Sequence, residues 1–397
     1  MKLFVCFVGC AGGDFLPDIF DPYSVLETFA ENEYIGLEDR IAATEFSTVF
    51  HTNHPGVVIK YQVHCHGSSE HPLVREYLFL KKVAILEIAP VPFYLSPAVE
   101  IGQASVSAKT AFYITPTDYA KCHELGGTVR FLLMSELGSS LLSLRTQSGP
   151  FPLLQTLDIA IRGFESLAVL HSRGILHGDV HWGNLSWEGD GVKFFDFGRS
   201  DFAPTNVETT ARTGFVSDPM FSHWEMEGKR SSFRDDAFRF LITIAMLMND
   251  DDFNMWFRAP TAFPSAQAHH EFKRDGFIFD RPITRLPQTV PPDLAPLQDD
   301  EFLDDSEDDW SFFVSGARDS EPARISTVEY PSVWDTYFLD PYVQSSVKDL
   351  FGEVLNMVRA TLGDALPNYP GILETLTLCK RIVEDCPQDG IGWLLTA

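Results

Sequence analysis

Short apolar runs separated by polar turns mark the first part of the chain. Residues 34–37, 46–50 and 57–59 are rich in β-branched and aromatic types, and residues 51–56 carry turn-forming types. This pattern predicts three short strands. Lys60 follows the third run directly, so we expect it at the end of that strand.

The apolar period changes to that of a helix over residues 70–84. Four apolar positions fall on one predicted face: Leu73, Tyr77, Leu80 and Ala84. Glu76 lies on the same face, and a carboxylate that points inward needs a cationic partner. Ser68 or Ser69 is the expected N-cap, and Pro72 suits the first helical turn.

The middle of the chain alternates between helix and strand patterns. Residues 131–134 read as an apolar strand, and residues 153–171 as an amphipathic helix that Gly174 ends in a left-handed conformation. Residues 185–187 and 192–195 are two short strand patterns, and the Glu-Gly-Asp-Gly sequence between them predicts a hairpin.

Three further helices are predicted toward the C-terminus. Residues 236–248 are apolar nearly all round, which is typical of a helix inside a domain. Residues 347–362 and 372–383 return to an amphipathic helical pattern. A proline-rich and acidic insertion at about 284–325 interrupts the series, and eight of the eleven residues at 299–309 are acidic, so we expect disorder there.

Charge and composition narrow the function. The 397 residues are 45% hydrophobic and 13% aromatic, enough for a sizeable core. There are 56 acidic and 30 basic residues, giving a net charge of −26, which argues against binding to nucleic acids or anionic membranes. No apolar stretch reaches the length of a membrane-spanning helix, so we expect no integral membrane association.

The N-terminus and the cysteines bear on the compartment. Six scattered cysteines, with no CxxC pair, favour a reducing environment and hence the cytoplasm or nucleus. Residues 3–11 form an apolar run behind Lys2 that also resembles a short secretory signal, which would imply secretion; the alternative is a buried strand. We therefore treat residues 1–30 as a leader or signal segment.

Three motifs carry candidate chemistry. Residues 177–184 read His-Gly-Asp-Val-His-Trp-Gly-Asn, residues 196–198 read Asp-Phe-Gly, and Lys60 precedes Glu76 by sixteen positions. A carboxylate can orient a hydroxyl and accept its proton, which suits Asp179. Carboxylate and amide oxygens are ligands that Mg²⁺ prefers, so Asn184 and Asp196 are the candidate metal ligands.

The motifs together resemble the protein-kinase-like superfamily, in which a strand lysine, a helix glutamate, a catalytic loop and an Asp-Phe-Gly turn serve phosphoryl transfer. The resemblance implies a bilobed α+β fold, with an N-lobe at residues 31–137 and a C-lobe at residues 138–397. It implies that ATP and Mg²⁺, or Mn²⁺, are bound and that proteins are phosphorylated on Ser/Thr. We expect a monomer.

Further motifs are similar to the casein kinase I and vaccinia-related kinase branch. Residues 133–141 resemble its hinge, which implies Met134 as gatekeeper and Glu136 and Leu137 beside adenine. Residues 232–236 resemble its Ser-Arg-Arg-Asp-Asp segment, which implies that Asp235 ties the catalytic loop to the following helix. The resemblance also assigns further nucleotide-binding positions to Ile41, Ala42, Thr44, Val49 and Lys60, and catalytic roles to Asp179, Lys60, Glu76 and His181.

Two departures keep other functions open. Residues 42–49 align with the glycine-rich loop of the family but contain no glycine, which favours a pseudokinase that acts as a binding module. His181 stands where protein kinases usually place a lysine, a pattern similar to aminoglycoside and choline phosphotransferases and hence to small-molecule kinases. His177 and His181 also have the spacing of a zinc helix, but Trp182 and Gly183 do not continue one.

Overall fold

The computed structural model describes residues 2–6, 31–43, 47–65, 71–96, 98–100, 127–189, 191–203, 222–248, 270, 274 and 341–386. These residues form a mixed α+β protein. They divide into two compact units, one containing the described residues up to Leu137 and the other those from Gly138 onward.

A β-sheet is the main element of the first unit. Its five antiparallel strands are, in spatial order, β2 (Glu31–Ala43), β3 (Ser47–Thr52), β4 (Val57–Cys65), β7 (Gly127–Ser135) and β5 (Pro92–Leu95). The strand β1 (Lys2–Cys6) pairs in parallel with β2, and β6 (Val99–Glu100) pairs with β7. The N-terminal apolar run thus enters the structure as an edge strand over residues 2–6.

The strands predicted around residues 46–60 are confirmed, with one correction. We placed the end of the third strand at Lys60, but β4 continues to Cys65 because β7 pairs with it over its whole length, from Val57 opposite Ser135 to Cys65 opposite Gly127. Polar residues beyond Lys60 hid this extension. Pairing with a neighbour, rather than apolarity, sets the strand's length.

The predicted helix of the first unit is α1 (Pro72–Val83). Its N-cap is His71, not Ser68 or Ser69, and the Nδ1 atom of His71 accepts the backbone N–H of Leu73 at 3.2 Å. The buried face is also rotated from the one we predicted, because Tyr77 is only half-buried. The buried positions are Leu73, Glu76, Phe79, Leu80 and Val83.

The second unit is mostly helical. Its helices are α2 (Leu141–Ser148), α3 (Leu153–Ser172), the short α4 (His223–Met226), α5 (Phe233–Met248), α6 (Pro341–Ala360) and α7 (Tyr369–Glu384). Two small antiparallel pairs join β8 (Ile175–Leu176) to β11 (Asp201–Phe202) and β9 (Leu185–Trp187) to β10 (Val192–Phe194). The predicted hairpin and the predicted helices are confirmed, and Gly174 has a φ of +67°.

The helix α5 lies at the centre of this unit, as its apolar sequence predicted. Every residue of α5 is buried. It packs against α3, where Gly163 leaves room for the ring of Phe240; a Cβ at Gly163 would lie 2.0 Å from that ring. The helices α6 and α7 pack against each other and enclose the same core, α6 against α5 and α7 against α3. The core therefore holds one end of α5 in a fixed place beside the loop described below.

Some sequence-based predictions concern residues outside the described part of the chain. These are most of the leader, Thr44 in the nucleotide-loop stretch, and the acidic insertion at about 284–325. Among the described residues, no helix combines the length and apolarity needed to cross a membrane.

Candidate active site

A buried ion pair joins β4 to α1 in the first unit. The Nζ atom of Lys60 lies 3.0 Å from Oε2 and 3.3 Å from Oε1 of Glu76. Lys60 is 6% exposed and Glu76 1% exposed. The pairing that we predicted from the inward face of the helix is therefore present. A buried pair of this kind adds little net stability, because both ions lose their hydration.

The strands β2 and β3 present the predicted nucleotide-loop residues. Ala42 pairs with Val49 across this hairpin, so both ends of the stretch that we predicted as the nucleotide loop are held in the sheet. Ile41 and Ala42 are exposed, whereas Val49 is half-buried. The exposed side chains leave an apolar rim on this edge of the hairpin.

The predicted hinge lies at the end of β7. Met134 is buried, at 7% exposed. The backbone N–H of Glu136 is already donated to the carbonyl oxygen of Gly56 at 2.8 Å. Among the described residues, the N–H of Leu137 has no hydrogen-bond partner. Of the two hinge residues, Leu137 is therefore the one with a backbone donor to offer a ligand.

In the second unit, a loop after β8 carries the His-Gly-Asp motif, and His177 stabilises it from within. The Nδ1 atom of His177 accepts the N–H of Asp179 at 3.2 Å, and Nε2 bonds to the carbonyl oxygen of Phe195 at 3.1 Å. Both ring nitrogens are engaged, so His177 has none left for zinc. The imidazole instead ties the loop to the segment that leads into Asp196.

Asp236, at the start of α5, holds the backbone of this loop. Its Oδ2 atom accepts the N–H of His177 at 2.7 Å, and its Oδ1 atom accepts the N–H of Gly178 at 3.0 Å. This corrects the prediction that Asp235 makes the tie. Burial alone would raise the pKa of Asp236, but the hydrogen bond from His171 lowers it overall.

A second layer of hydrogen bonds supports Asp236. Its Oδ2 atom also accepts a hydrogen bond from the Nε2–H group of His171, at 3.2 Å. The Nδ1 atom of His171 in turn accepts a hydrogen bond from the hydroxyl of Tyr369, at 2.5 Å. His171 is on α3 and Tyr369 begins α7. Residues from three helices therefore fix the conformation of the loop.

Asp179 is surrounded by positive groups. Its Oδ1 atom lies 3.1 Å from Nη1 of Arg199 and 3.5 Å from Nη1 of Arg239. Burial opposes ionisation of Asp179, but its electrostatic interactions with His181, Arg199 and Arg239 lower its pKa overall. Asp179 is therefore ionised at neutral pH. Its side chain is 20% exposed, so the carboxylate remains accessible.

His181 belongs to the turn that follows. Its Nδ1 atom accepts the N–H of Gly183 at 3.0 Å, which caps the short 3-10 turn Trp182–Asn184. A ring nitrogen that accepts a hydrogen bond carries no proton, so the imidazole is neutral. Burial also lowers the pKa of His181. The positive charge that a lysine would supply at this position is therefore missing.

The two predicted metal ligands present oxygen atoms. The Nδ2 atom of Asn184 donates to the carbonyl oxygen of Asp179 at 3.1 Å and to its Oδ2 atom at 3.3 Å, which leaves Oδ1 of Asn184 as an acceptor. Asp196 has a φ of +61° and accepts the N–H of Gly198 at 3.3 Å through Oδ1. Within the described ranges, no group of three His, Cys, Asp or Glu residues could hold a metal unaided. The donor set fits Mg²⁺ that is completed by phosphate and water oxygens.

Several residues of this site were missed from the sequence. They are His171, Arg199, Glu225, Asp236, Arg239 and Tyr369. One signal could have revealed Arg239, since a cation in the middle of an otherwise apolar helix must have an anionic partner. That partner is Glu225, whose carboxylate accepts two hydrogen bonds from the guanidinium, at 2.6 and 2.9 Å.

Asp235 makes a different set of contacts, which leads to a prediction about pH. It accepts hydrogen bonds from the hydroxyls of Ser222 and Ser232, and burial raises the pKa of Asp235 to about 7. Because the pKa of Asp235 is higher in the folded protein than in the unfolded chain, the folded state is favoured while this carboxyl group is protonated. That contribution to the free energy of unfolding is lost as the pH rises from about 4 to about 7.

The variant Asp235→Asn removes this titration. The stability of the variant relative to the wild type should therefore rise by a few kcal/mol between pH 4 and pH 8. Urea unfolding across that pH range measures the difference. A difference that does not change with pH would mean that Asp235 is ionised in the folded protein throughout.

No protein-family model matches the chain, and no curated protein matches it at a significant level.

Proposed function

We propose that this protein is an ATP-dependent phosphotransferase that phosphorylates Ser/Thr hydroxyls of proteins. The observation that carries the proposal is the buried contact between Lys60 and Glu76, 3.0 Å apart. Such a pair contributes little to stability, but it holds a cation in place for phosphate oxygens. The motif resemblance implies this role for Lys60, and from it we infer that the whole protein acts as a phosphotransferase.

The loop of the second unit carries groups suited to the other roles in the reaction. Asp179 is ionised and partly exposed, so it can accept a hydrogen bond from a hydroxyl. The hydroxyl oxygen forms a bond to the γ-phosphorus of ATP while the bond from that phosphorus to the β–γ bridging oxygen breaks. The electron pair leaves with ADP, and the hydroxyl proton passes to Asp179.

Asn184 and Asp196 would hold the metal ion. Mg²⁺ bound there would neutralise the negative charge of the phosphates. The hydrogen bond from Asn184 to Asp179 keeps the amide oxygen and the carboxylate in a fixed relation. The tie between His177 and Phe195 does the same for the Asp196 turn. Positioning of this kind is the main source of catalysis in phosphoryl transfer.

Transfer of radiolabelled phosphate from ATP to a generic protein substrate tests the proposal. The variants Lys60→Met, Asp179→Asn and Asp196→Ala should each lower kcat/KM by about a hundredfold, because each loses charge neutralisation or positioning in the transition state. Lys193→Met is the matched control for Lys60, since it removes an equal charge from a half-buried lysine that pairs with the exposed Glu188 at 2.6 Å. It should leave the rate unchanged.

Two results would contradict the proposal. If the purified chain binds no nucleotide in the presence of Mg²⁺ or Mn²⁺, the pseudokinase alternative replaces it. If transfer persists in Asp179→Asn and Asp196→Ala, the activity comes from a contaminant. Melting temperatures close to that of the wild type would show that the variants are folded.

One observation favours a small-molecule acceptor instead. His181 caps its turn and brings no positive charge, as in the aminoglycoside and choline phosphotransferases that the loop sequence resembles. A screen that offers aminoglycosides, choline and proteins as acceptors in the same assay separates the two. A rate at least tenfold higher with a small molecule would replace the protein-kinase proposal.

A further inference from the structure

Two arginines contact Asp179, and they differ in what else they can do. The side chain of Arg239 is 2% exposed, whereas that of Arg199 is 62% exposed. They reach the same carboxylate oxygen from different elements, Arg239 from α5 and Arg199 from the 3-10 turn Phe197–Arg199. Asp179 therefore has one enclosed and one accessible guanidinium beside it.

Arg239 is fully committed to the protein. Its Nε and Nη2 atoms donate to the two carboxylate oxygens of Glu225, and its Nη1 atom donates to the carbonyl oxygen of Gly178 at 2.9 Å. A guanidinium with these partners in the interior cannot turn toward a ligand. Its role is to position Asp179 and the backbone of Gly178.

Arg199 is anchored at its backbone and accessible at its tip. Its carbonyl carbon and oxygen lie so close to Gly178 that a Cβ there would be 2.5 Å from the oxygen. Its guanidinium makes one contact among the described residues, from Nη1 to Oδ1 of Asp179 at 3.1 Å. A guanidinium has five N–H donors, so several remain for a further anion.

Arg199 lies close to two residues of the proposed site. It follows the proposed metal ligand Asp196 by three residues, and it touches the carboxylate proposed to meet the acceptor hydroxyl. The transferred phosphoryl group must lie close to both of these residues. The ring of His181, at the place of the usual lysine, is held in its own turn by Gly183.

We propose that Arg199 is a catalytic residue that binds the γ-phosphoryl group and supplies the positive charge that position 181 lacks. This inference rests on the proposed function and names a residue that acts in it. A guanidinium can donate two parallel hydrogen bonds to a phosphoryl group while a third N–H keeps its bond to Asp179. The planar fork of Arg199 thus joins the acceptor-binding carboxylate to the group being transferred.

Arg199→Ala in the full chain tests this inference through binding as well as rate. Calorimetry with Mg²⁺ should show at least tenfold weaker binding of the ATP analogue AMP-PNP and unchanged binding of ADP, because only the first has a γ-phosphoryl group. The kcat value should fall by about a hundredfold. Arg199→Lys should recover part of both effects, because it keeps the charge but not the fork.

Arg162→Ala is the control for net charge. Arg162 is an exposed arginine on α3 that pairs with Glu165 at 2.8 Å. This variant should match the wild type in both measurements. Because Arg199 is exposed, we expect its variants to melt within a few degrees of the wild type.

The outcomes separate the two proposals. If the wild type binds neither nucleotide, the proposed function fails, and the role of Arg199 fails with it. If the wild type binds and transfers phosphate but Arg199→Ala matches it in AMP-PNP affinity and rate, only the role of Arg199 is overturned. A faster Arg199→Ala variant would also overturn that role, because the arginine would then be masking Asp179.

Discussion

Asp236→Asn should lower the free energy of unfolding by about 3–5 kcal/mol, which is typical for the loss of one partner in a buried charged network. The carboxylate accepts hydrogen bonds from the backbone of His177 and Gly178 and from the ring of His171. In asparagine an NH2 group replaces one of the two carboxylate oxygens, so it faces an N–H group that it cannot accept. The loop therefore loses at least one of these hydrogen bonds. Urea unfolding at pH 7 measures the change.

Asp235→Asn is the matched control, because Asp235 is the neighbouring residue and is equally buried. Its partners are two serine hydroxyls, one on each carboxylate oxygen. A hydroxyl can donate or accept, so one serine can donate to the amide oxygen and the other can accept from the amide NH2 group. This variant should be at least as stable as the wild type at pH 7. Equal losses in the two variants would show that an amide at either buried position disrupts this end of the helix, and that the tie to the loop does not explain the effect.

Gly178→Ala should lower the free energy of unfolding by about 2–4 kcal/mol, for two reasons that add together. Gly178 has a φ of +78°, a conformation that costs an alanine about 1 kcal/mol. An added Cβ would also lie 2.5 Å from the carbonyl oxygen of Arg199, so the backbone must move. Forced shifts in a well-packed region cost a further 1–3 kcal/mol. Denaturant unfolding measures the total.

Gly189→Ala separates the two reasons. Gly189 lies in the hairpin turn with a φ of +86°, and an added Cβ would meet no atom within 4 Å. This variant should cost only the conformational part, about 1 kcal/mol. If both variants cost the same, the contact between Gly178 and Arg199 is less tight than the structure shows.

Local patterns in the sequence predicted much of the fold. The buried helix α5 and the hairpin at residues 185–194 follow from signals within a few neighbouring residues, a continuous apolar run and a glycine-rich turn. The N-cap of α1 was missed because a histidine took the place of the serines that usually serve. The full length of β4 depends on its pairing with β7, which lies about seventy residues further along the chain.

The residues of the candidate site also divide into those that a local sequence pattern predicted and those that it did not. The pair of Lys60 and Glu76 was predicted because one helical face placed the glutamate inward. Asp235 and Asp236 were indistinguishable, since a helix that is buried on every side has no outer face to set its orientation. The contact of Arg239 with Asp179 spans 60 residues, and that of Arg199 spans 20. Neither separation leaves a periodic signal in the sequence.

The hydrogen bonds that link Tyr369, His171 and Asp236 set an order in time for biosynthesis. His171 and Asp236 are 65 residues apart, but His171 and Tyr369 are separated by 198 residues. At a translation rate of about 5–20 residues per second, Tyr369 is made roughly 7–27 seconds after Asp236. The ribosome thus delivers the groups around Asp179 well before the residue that completes their support. The loop that carries Asp179 therefore reaches its final rigidity only after α7, the last described helix, has been synthesised.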